Sequence, residues 1–407
     1  MMEKEILYMY ASRREKYGFG PVQHLPILEN GKEGLEIKPL TVFIGGQGTG
    51  KSLFSQIVYF FRNLPYLVRY QSARPGQKSK DPEILIRQVM DNLRSDQRAL
   101  GVFANPRVTF KWQENTINMQ FNNRRIGANK KLRSEIANPL SQESVFHQKG
   151  QAIFIPAERV LYSQGSQAGW DLLSLPSTLI HFASIMGDVG RTYQNWINGI
   201  SETIEGEKIR AMGTEMLGGE VARRSGDWKW KVGEIQFDID MASSGQKANW
   251  PLVLLAQALF EWREQGLIGM PFSIHIEEPE IHLHPAAQVQ MMKLVTFLVN
   301  HDFKILLTTH SPTTLYTLNN LMTASTLLGD KEIPDVPEKK YRISPEKVAA
   351  YLFAGADVKS IITKEKIGLN AGQNVTWLDE NKLRKIDKDL GKELSRIRYY
   401  GSLTEDE

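Results

Sequence analysis

The chain has 407 residues, 41% of them hydrophobic and 24% charged, with a formal charge of +4 and a pI near 8.9; it can bury a large core as one elaborated domain or as two or three lobes. It contains no cysteine, which excludes disulfides, zinc–cysteine sites and thiol nucleophiles and leaves carboxylates, His, Lys or a metal for any chemistry. The mild basicity does not single out nucleic acid as a partner and leaves it open, while the lack of a long apolar run or a signal-peptide h-region predicts a soluble, cytoplasmic protein with no membrane partner.

The first predicted strand, Leu40-Thr41-Val42-Phe43-Ile44, runs into Gly45-Gly46-Gln47-Gly48-Thr49-Gly50-Lys51-Ser52, a complete G-x-x-x-x-G-K-S phosphate loop. Glycines without Cβ let consecutive backbone N–H groups curl round a phosphate, and the helix starting near Gly50 adds its positive dipole end to the same anion. Lys51 is expected to reach the β/γ oxygens and Ser52 to ligate Mg²⁺, so ATP and Mg²⁺ are the expected cofactors. The following helix, from Leu53, is apolar nearly all round and is expected to end at Pro65.

Residues 71–80 read as an exposed loop and Asp81–Leu100 as a helix capped by Asp81. Alternating segments at Arg107–Trp112 and Thr116–Phe121 predict a hairpin; residues 122–150 are basic and weakly patterned, as in a solvated loop or short helix. A short strand, Ala152–Ile155, is followed by helical segments that include Trp170–Leu175 and Arg191–Ile204. A second hairpin is expected across Glu220–Asp240, turning at Ser225-Gly226-Asp227, with Trp228 and Trp230 as packing residues. Beyond it come an apolar helix, Trp250–Trp262, and the pattern strand 272–276, helix 285–299, strand 303–308, a right-handed βαβ unit. These strands imply a parallel sheet buried on both faces, with the hairpins outside it. Residues 344–362 read as a helix and a strand, and the chain ends in a charged helix around Asn381–Arg398 and an acidic tail.

Glu277 and Glu278 sit at the C-terminal end of a buried strand, where ligands of open α/β sheets collect. Their side chains alternate, so Glu277 is assigned to metal and Glu278 to the attacking water. Ser243-Ser244-Gly245-Gln246 opens the apolar helix with a hydroxyl and a Gly amide, an arrangement suited to the γ-phosphate of a nucleotide bound by another subunit. His310, after the strand Ile305–Thr309, can donate to that phosphate or to the water. His275, His282 and His284 lack the spacing of a helical metal pair.

In order, GGQGTGKS, ASSGQ, IHIEEPEIHLHP and TTHSP resemble the Walker A, signature, Walker B with D-loop, and switch-histidine motifs of ABC-type ATPases. EEPE-x-HLHP with THSP is similar, more narrowly, to the ATPase module of overcoming-lysogenization-defect (OLD) nucleases and related antiphage ATPases, as is the stretch Ile155–Arg159. The resemblance implies an α/β P-loop NTPase fold of ABC type, a mostly parallel sheet flanked by helices with an antiparallel β subdomain and a helical insert. It implies phosphate and Mg²⁺ at Lys51 and Ser52, a catalytic Glu278, a switch at His310, and Ser243–Gln246 acting in trans across a homodimer. Glu277 stands where many ABC ATPases have Asp; Gln47 departs from the usual Asn or Ser, and no Toprim nuclease pattern follows Pro312.

The chain then divides into an N-terminal part of the ATPase core with the P-loop (1–64), an insert (65–150), a core strand (151–164), a helical lobe and hairpin (165–240), a C-terminal part of the core (241–330) and an extension (331–407). The expected function is an ATPase subunit regulating a separate effector, a nuclease or toxin, in antiphage defence. The alternative is an SMC-like clamp on nucleic acid; a transporter motor ranks below both.

Overall fold

The computed structural model describes residues 5–11, 18–73, 76–79, 81, 83–89, 108–114, 117–122, 125–128, 133, 152–164, 177–200, 202–224, 227–366 and 374–378. Near the N-terminus β1 (Glu5–Ala11), β2 (Gly34–Ile37) and β3 (Leu40–Gly45) lead into α1 (Lys51–Ala73). Then come β4 (Val108–Glu114), β5 (Ile117–Asn122), β6 (Arg125–Ala128), β7 (Ala152–Ile155), α2 (Val160–Gln164), α3 (Ser177–Ile197) and α4 (Ile204–Leu217). A small sheet follows, β8 (Glu220–Arg224), β9 (Asp227–Val232) and β10 (Ile235–Asp238), then α5 (Ser244–Glu264). The chain continues through β11 (Ser273–Glu277), α6 (Pro285–Asn300), β12 (Lys304–Thr309), α7 (Pro312–Leu328), β13 (Val348–Ala354), β14 (Asp357–Ser360), β15 (Ile362–Lys366) and β16 (Asn374–Leu378).

The central sheet has the order β14-β13-β3-β12-β11-β7, parallel except for the antiparallel edge strand β14. Side chains alternate between two cores, as the two-residue period requires. Leu40, Val42, Ile44, Ile305, Leu307, Val348 and Ala350 face the core built with α3 to α7. Phe43, Leu306, Ala349, Tyr351 and Phe353 face α1 and the antiparallel sheet β2-β1-β4-β5-β6. This two-sided burial explains why the strands read as continuous apolar runs. Glu5 of β1 ties the second sheet to the first: Arg62 of α1 donates to it at 2.6 Å, and Lys304 of β12 also bonds it.

Several expectations need correction. Pro65 lies inside α1; Leu64 and Val68 on either side are fully buried, so tertiary packing carries the helix past the missing N–H. The helix expected over 191–204 breaks after Ile197, because Gly199 at φ 95° turns the chain and Thr203 caps a new helix by accepting from the Gly206 N–H. Part of 122–150 forms strand β6, paired with β5. Residues 344–362 contain no helix longer than a single 3-10 turn; β13 pairs in parallel with β3, and β14 folds back on β13. The expected helices at 170–175 and 381–398, the acidic tail, and the residues 225 and 226 of the second turn lie outside the described residues.

Candidate active site

The sheet order places β12 between the P-loop strand β3 and the carboxylate strand β11, so Gly45, Glu277 and the loop after Thr309 emerge along one C-terminal edge. Gly45 (φ 151°), Gly48 (φ 69°) and Gly50 (φ 96°) give the loop its curl. Only glycine fits at position 45: a Cβ there would stand 2.1 Å from the Phe353 carbonyl oxygen of β13. Gly46, Gln47 and Gly48 are exposed, and Thr49 donates from Oγ1 to the Gly46 carbonyl at 2.8 Å. Lys51 is buried, with Nζ donating to the carbonyls of Gly45 at 3.0 Å and Gly46 at 2.6 Å. Burial pulls its ammonium below the ordinary value, against the nearby carboxylates Glu278, Glu280 and Glu277.

Glu277 is the last residue of β11 and is buried. Burial pushes its carboxyl up to about 7, even though the Ser52 hydroxyl and the Ala157 N–H donate to it, the latter at 3.2 Å on Oε2. Its Oε1 has no hydrogen-bond partner among the described residues. A hydroxyl beside a carboxylate with one unsatisfied oxygen fits Mg²⁺ arriving on phosphates. Among the described residues no three His, Asp or Glu are placed so as to hold a metal ion by themselves, so phosphate oxygens and water would complete the coordination, as is usual for Mg²⁺.

Glu278 turns out of the strand at φ 46°, a left-handed conformation costly for a non-glycine residue. Its N–H donates to the Thr308 carbonyl at 2.9 Å, which holds the turn. Its Oε1 lies 3.1 Å from His310 Nε2, both side chains about a third exposed. Glu280, which the sequence reading leaves without a role, fastens the His310 loop: Oε1 accepts from Thr309 Oγ1 at 2.6 Å and from the N–H groups of His310 and Ser311 at 2.8 and 3.2 Å.

Arg159 is the other residue missed. It is completely buried, and burial pulls its guanidinium down to about 10, so it stays charged at neutral pH. It donates to the carbonyls of Glu277 at 2.7 Å and Glu278 at 2.8 Å, and also to Pro156, Ala248 and Asn249 Oδ1. One side chain thus joins the carboxylate turn to the first turns of α5. Asn249 extends the junction, donating from Nδ2 to the carbonyls of Gly245 and Ile281.

Ser243 caps α5 in a capping box with Gln246: Ser243 Oγ accepts from the Gln246 N–H, and the Gln246 side chain accepts from the Ser243 N–H. Gln246 also donates to the Leu217 carbonyl, and a Cβ on Gly245 would stand 2.6 Å from the His282 carbonyl oxygen. Ser243 and Ser244 are exposed. Of the histidines set aside as metal ligands, His275 is buried against Ser55 and Arg62, and His284 caps α6.

A glycine-curled loop between a central parallel strand and a helix, with carboxylates on the strand two places away, decides the fold. The chain is an α/β P-loop NTPase. Residues 174–314, about a third of the chain, match the family model described as AAA ATPase domain, a span holding Ser243–Gln246, Glu277, Glu278 and His310 of this NTPase. No curated protein matches the chain. Among solved structures it is similar to an SmcHead bound to the C-winged helix domain of ScpA, at 13% identity over 88% of this chain and 96% of that one, with a TM-score of 0.42. It is also similar to the SMC head domain from Thermotoga maritima, at 11% identity over 89% and 100%, with a TM-score of 0.38. A third is cbiO1 from Clostridium perfringens, part of the ABC transporter complex cbiONQ, at 11% identity over 98% of both chains and a TM-score of 0.33. The fold rests on the strand order and loop geometry, not on these likenesses. No described helix is long and apolar enough to cross a membrane.

Proposed function

We propose that this P-loop NTPase is an ATPase whose sites are shared between two copies arranged head to tail, and that its nucleotide cycle regulates a separate effector, a nuclease or toxin, in bacterial antiphage defence. The observation that carries the ATPase reading is the convergence of Lys51, Ser52, Glu277, Glu278 and His310 at one sheet edge. The loop amides cradle the β-phosphate, and Lys51 leaves the Gly45 and Gly46 carbonyls to meet the β/γ oxygens. Ser52 and Glu277 would hold Mg²⁺, which when bound neutralises charge on the phosphate oxygens. Glu278 orients water and accepts its proton; His310, beside it, holds the same water or a γ-phosphate oxygen.

The shared site is supported by the exposed Ser243–Ser244 tip of α5: its cap closes within the helix, Gln246 donates onward to the Leu217 carbonyl, and Gly245 packs closely on the His282 backbone. The N–H groups of Ser244 and Gly245, ahead of the capped Gln246, suit the γ-phosphate of a partner copy. Lys51→Ala and Ser243→Arg should each abolish hydrolysis, and an equimolar mixture should recover part of it. No recovery would overturn the shared site while leaving the P-loop assignment intact. The antiphage role draws on the motif resemblance, and the SMC-like clamp would displace it if the isolated protein bound DNA with a salt slope reporting several phosphate contacts.

A further inference from the structure

His275 stands two residues before Glu277 on β11, so both side chains leave the same face of the sheet, towards α1. Ser52 and Ser55 lie three residues apart on α1, one turn along a single face. Two rungs therefore join helix and strand. Ser52 meets Glu277 at the nucleotide site, and beneath it Ser55 Oγ lies 3.2 Å from His275 Nδ1. Two turns further along α1, Arg62 Nη1 lies 3.3 Å from the other ring nitrogen, Nε2.

A guanidinium has only donors, so Nε2 is the bare, accepting nitrogen. The proton of the neutral ring is then on Nδ1 and is donated to Ser55 Oγ. Turning the ring over would put carbons where both nitrogens stand and lose both bonds. Neighbouring rings confine it further: Phe154 of β7, its register partner, stacks at 6.2 Å and 23°, and Tyr59 of α1 meets it edge to face at 5.6 Å. Arg62 is itself held by Glu5 of β1, through Nε at 3.1 Å and Nη2 at 2.6 Å, and Glu5 also bonds Lys304 of β12. The buried charges are thus paired, and the clamp on His275 is anchored in both sheets.

We propose that His275 is a positioning residue for the metal site: held as one tautomer between Ser55 and Arg62, it fixes the spacing of α1 and β11 at which Ser52 and Glu277 face a single Mg²⁺. The inference rests on the assignment of Mg²⁺ to Ser52 and Glu277. Glu277 is otherwise held by the Ala157 N–H alone on Oε2, and its Oε1 has no partner among the described residues, so its distance from Ser52 follows the distance between strand and helix. Mg²⁺ demands near-ideal geometry at short metal–oxygen distances and tolerates little drift of that spacing.

Mn²⁺, read by electron spin resonance in place of Mg²⁺, is titrated into the full chain with ADP bound, and ADP binding without metal is measured by calorimetry. The wild type is compared with Ser55→Ala, His275→Phe and His275→Asn. Asn puts an amide donor where Nδ1–H stands and keeps the Ser55 rung; Phe fills the space of the ring without either bond. Ser55→Ala and His275→Phe should weaken Mn²⁺ binding about tenfold and His275→Asn less than about threefold, with metal-free ADP binding within about twofold throughout. In the wild type, a long-range proton–nitrogen correlation spectrum at neutral pH, with the His275 signals assigned by their absence from His275→Asn, should show the Nδ1–H tautomer. A proton on Nε2 would overturn the proposal, as would Mn²⁺ affinity unchanged in Ser55→Ala and His275→Phe. So would metal-free ADP binding that falls in step with Mn²⁺ binding, the mark of a general loosening. Should His275→Phe unfold by circular dichroism, Ser55→Ala, which removes a single oxygen, and the wild-type spectrum carry the test. Failure of the wild type itself to bind Mn²⁺ would sink the Ser52–Glu277 metal assignment and this inference with it, whereas unchanged affinity in the variants sinks the clamp alone.

Discussion

Replacing Glu277 with Gln separates its chemistry from its cost to the fold. Burial holds this carboxyl at about 7 against an ordinary 4.5. At about 1.4 kcal/mol per tenfold in proton affinity, the ionised form costs the nucleotide-free fold about 3 kcal/mol. The sign follows from the raised value. Between pH 4.5 and 7 the folded state binds more protons than the unfolded one, so stability falls as pH rises through that window, and the full penalty is present above it. Glu277→Gln keeps an acceptor for the Ala157 N–H and cannot ionise. Urea unfolding of both proteins from pH 4.5 to 8.5, without nucleotide or Mg²⁺, should give curves that coincide at the acid end. Towards pH 8.5 the variant should be the more stable by about 3 kcal/mol, although inactive as an ATPase. Parallel stability profiles across the range would refute both the burial of this charge and its readiness for a metal.

Arg159→Met removes the donor from five acceptors joining the carboxylate turn to α5; we expect a loss of about 3–5 kcal/mol, read as a lower unfolding midpoint, with no rescue by Lys, which lacks the planar fork. Gly45→Ala should reduce ATP affinity more than tenfold by calorimetry, because its Cβ meets the Phe353 carbonyl. Gly48→Ala, with open space around it, should cost only about 1 kcal/mol of left-handed strain. Glu280→Ala releases the His310 loop from three donors, so kcat should fall about 10- to 100-fold with little change in KM. Equal changes in both would count against a positioning role.

The parts legible in the sequence are those fixed by short-range chemistry. The glycine pattern of residues 45–52, the apolar strands flanking it and the paired carboxylates at 277 and 278 each carry their signal within a few residues, and the structure brings them to one edge. The rest depends on distant partners. Val348–Ala354, VAAYLFA, has alanines that suit a helix, and only the open side of β3 makes it a strand. β1 was unreadable for the same reason, since its neighbour β4 lies about a hundred residues further on. The role of Arg159 is invisible locally because Ala248 and Asn249, which it clamps, belong to α5.

The pairing of β13 with β3 sets an order on biogenesis. Until residues 348–353 emerge from the ribosome, β3 has an open edge, and nothing packs against Gly45 where the Phe353 carbonyl later sits. The first hundred residues therefore carry the whole phosphate-loop motif without its finished support, a long-range closure expected to be slow and exposed to mispairing. Nascent chains halted before Val348 should recruit chaperones rather than nucleotide.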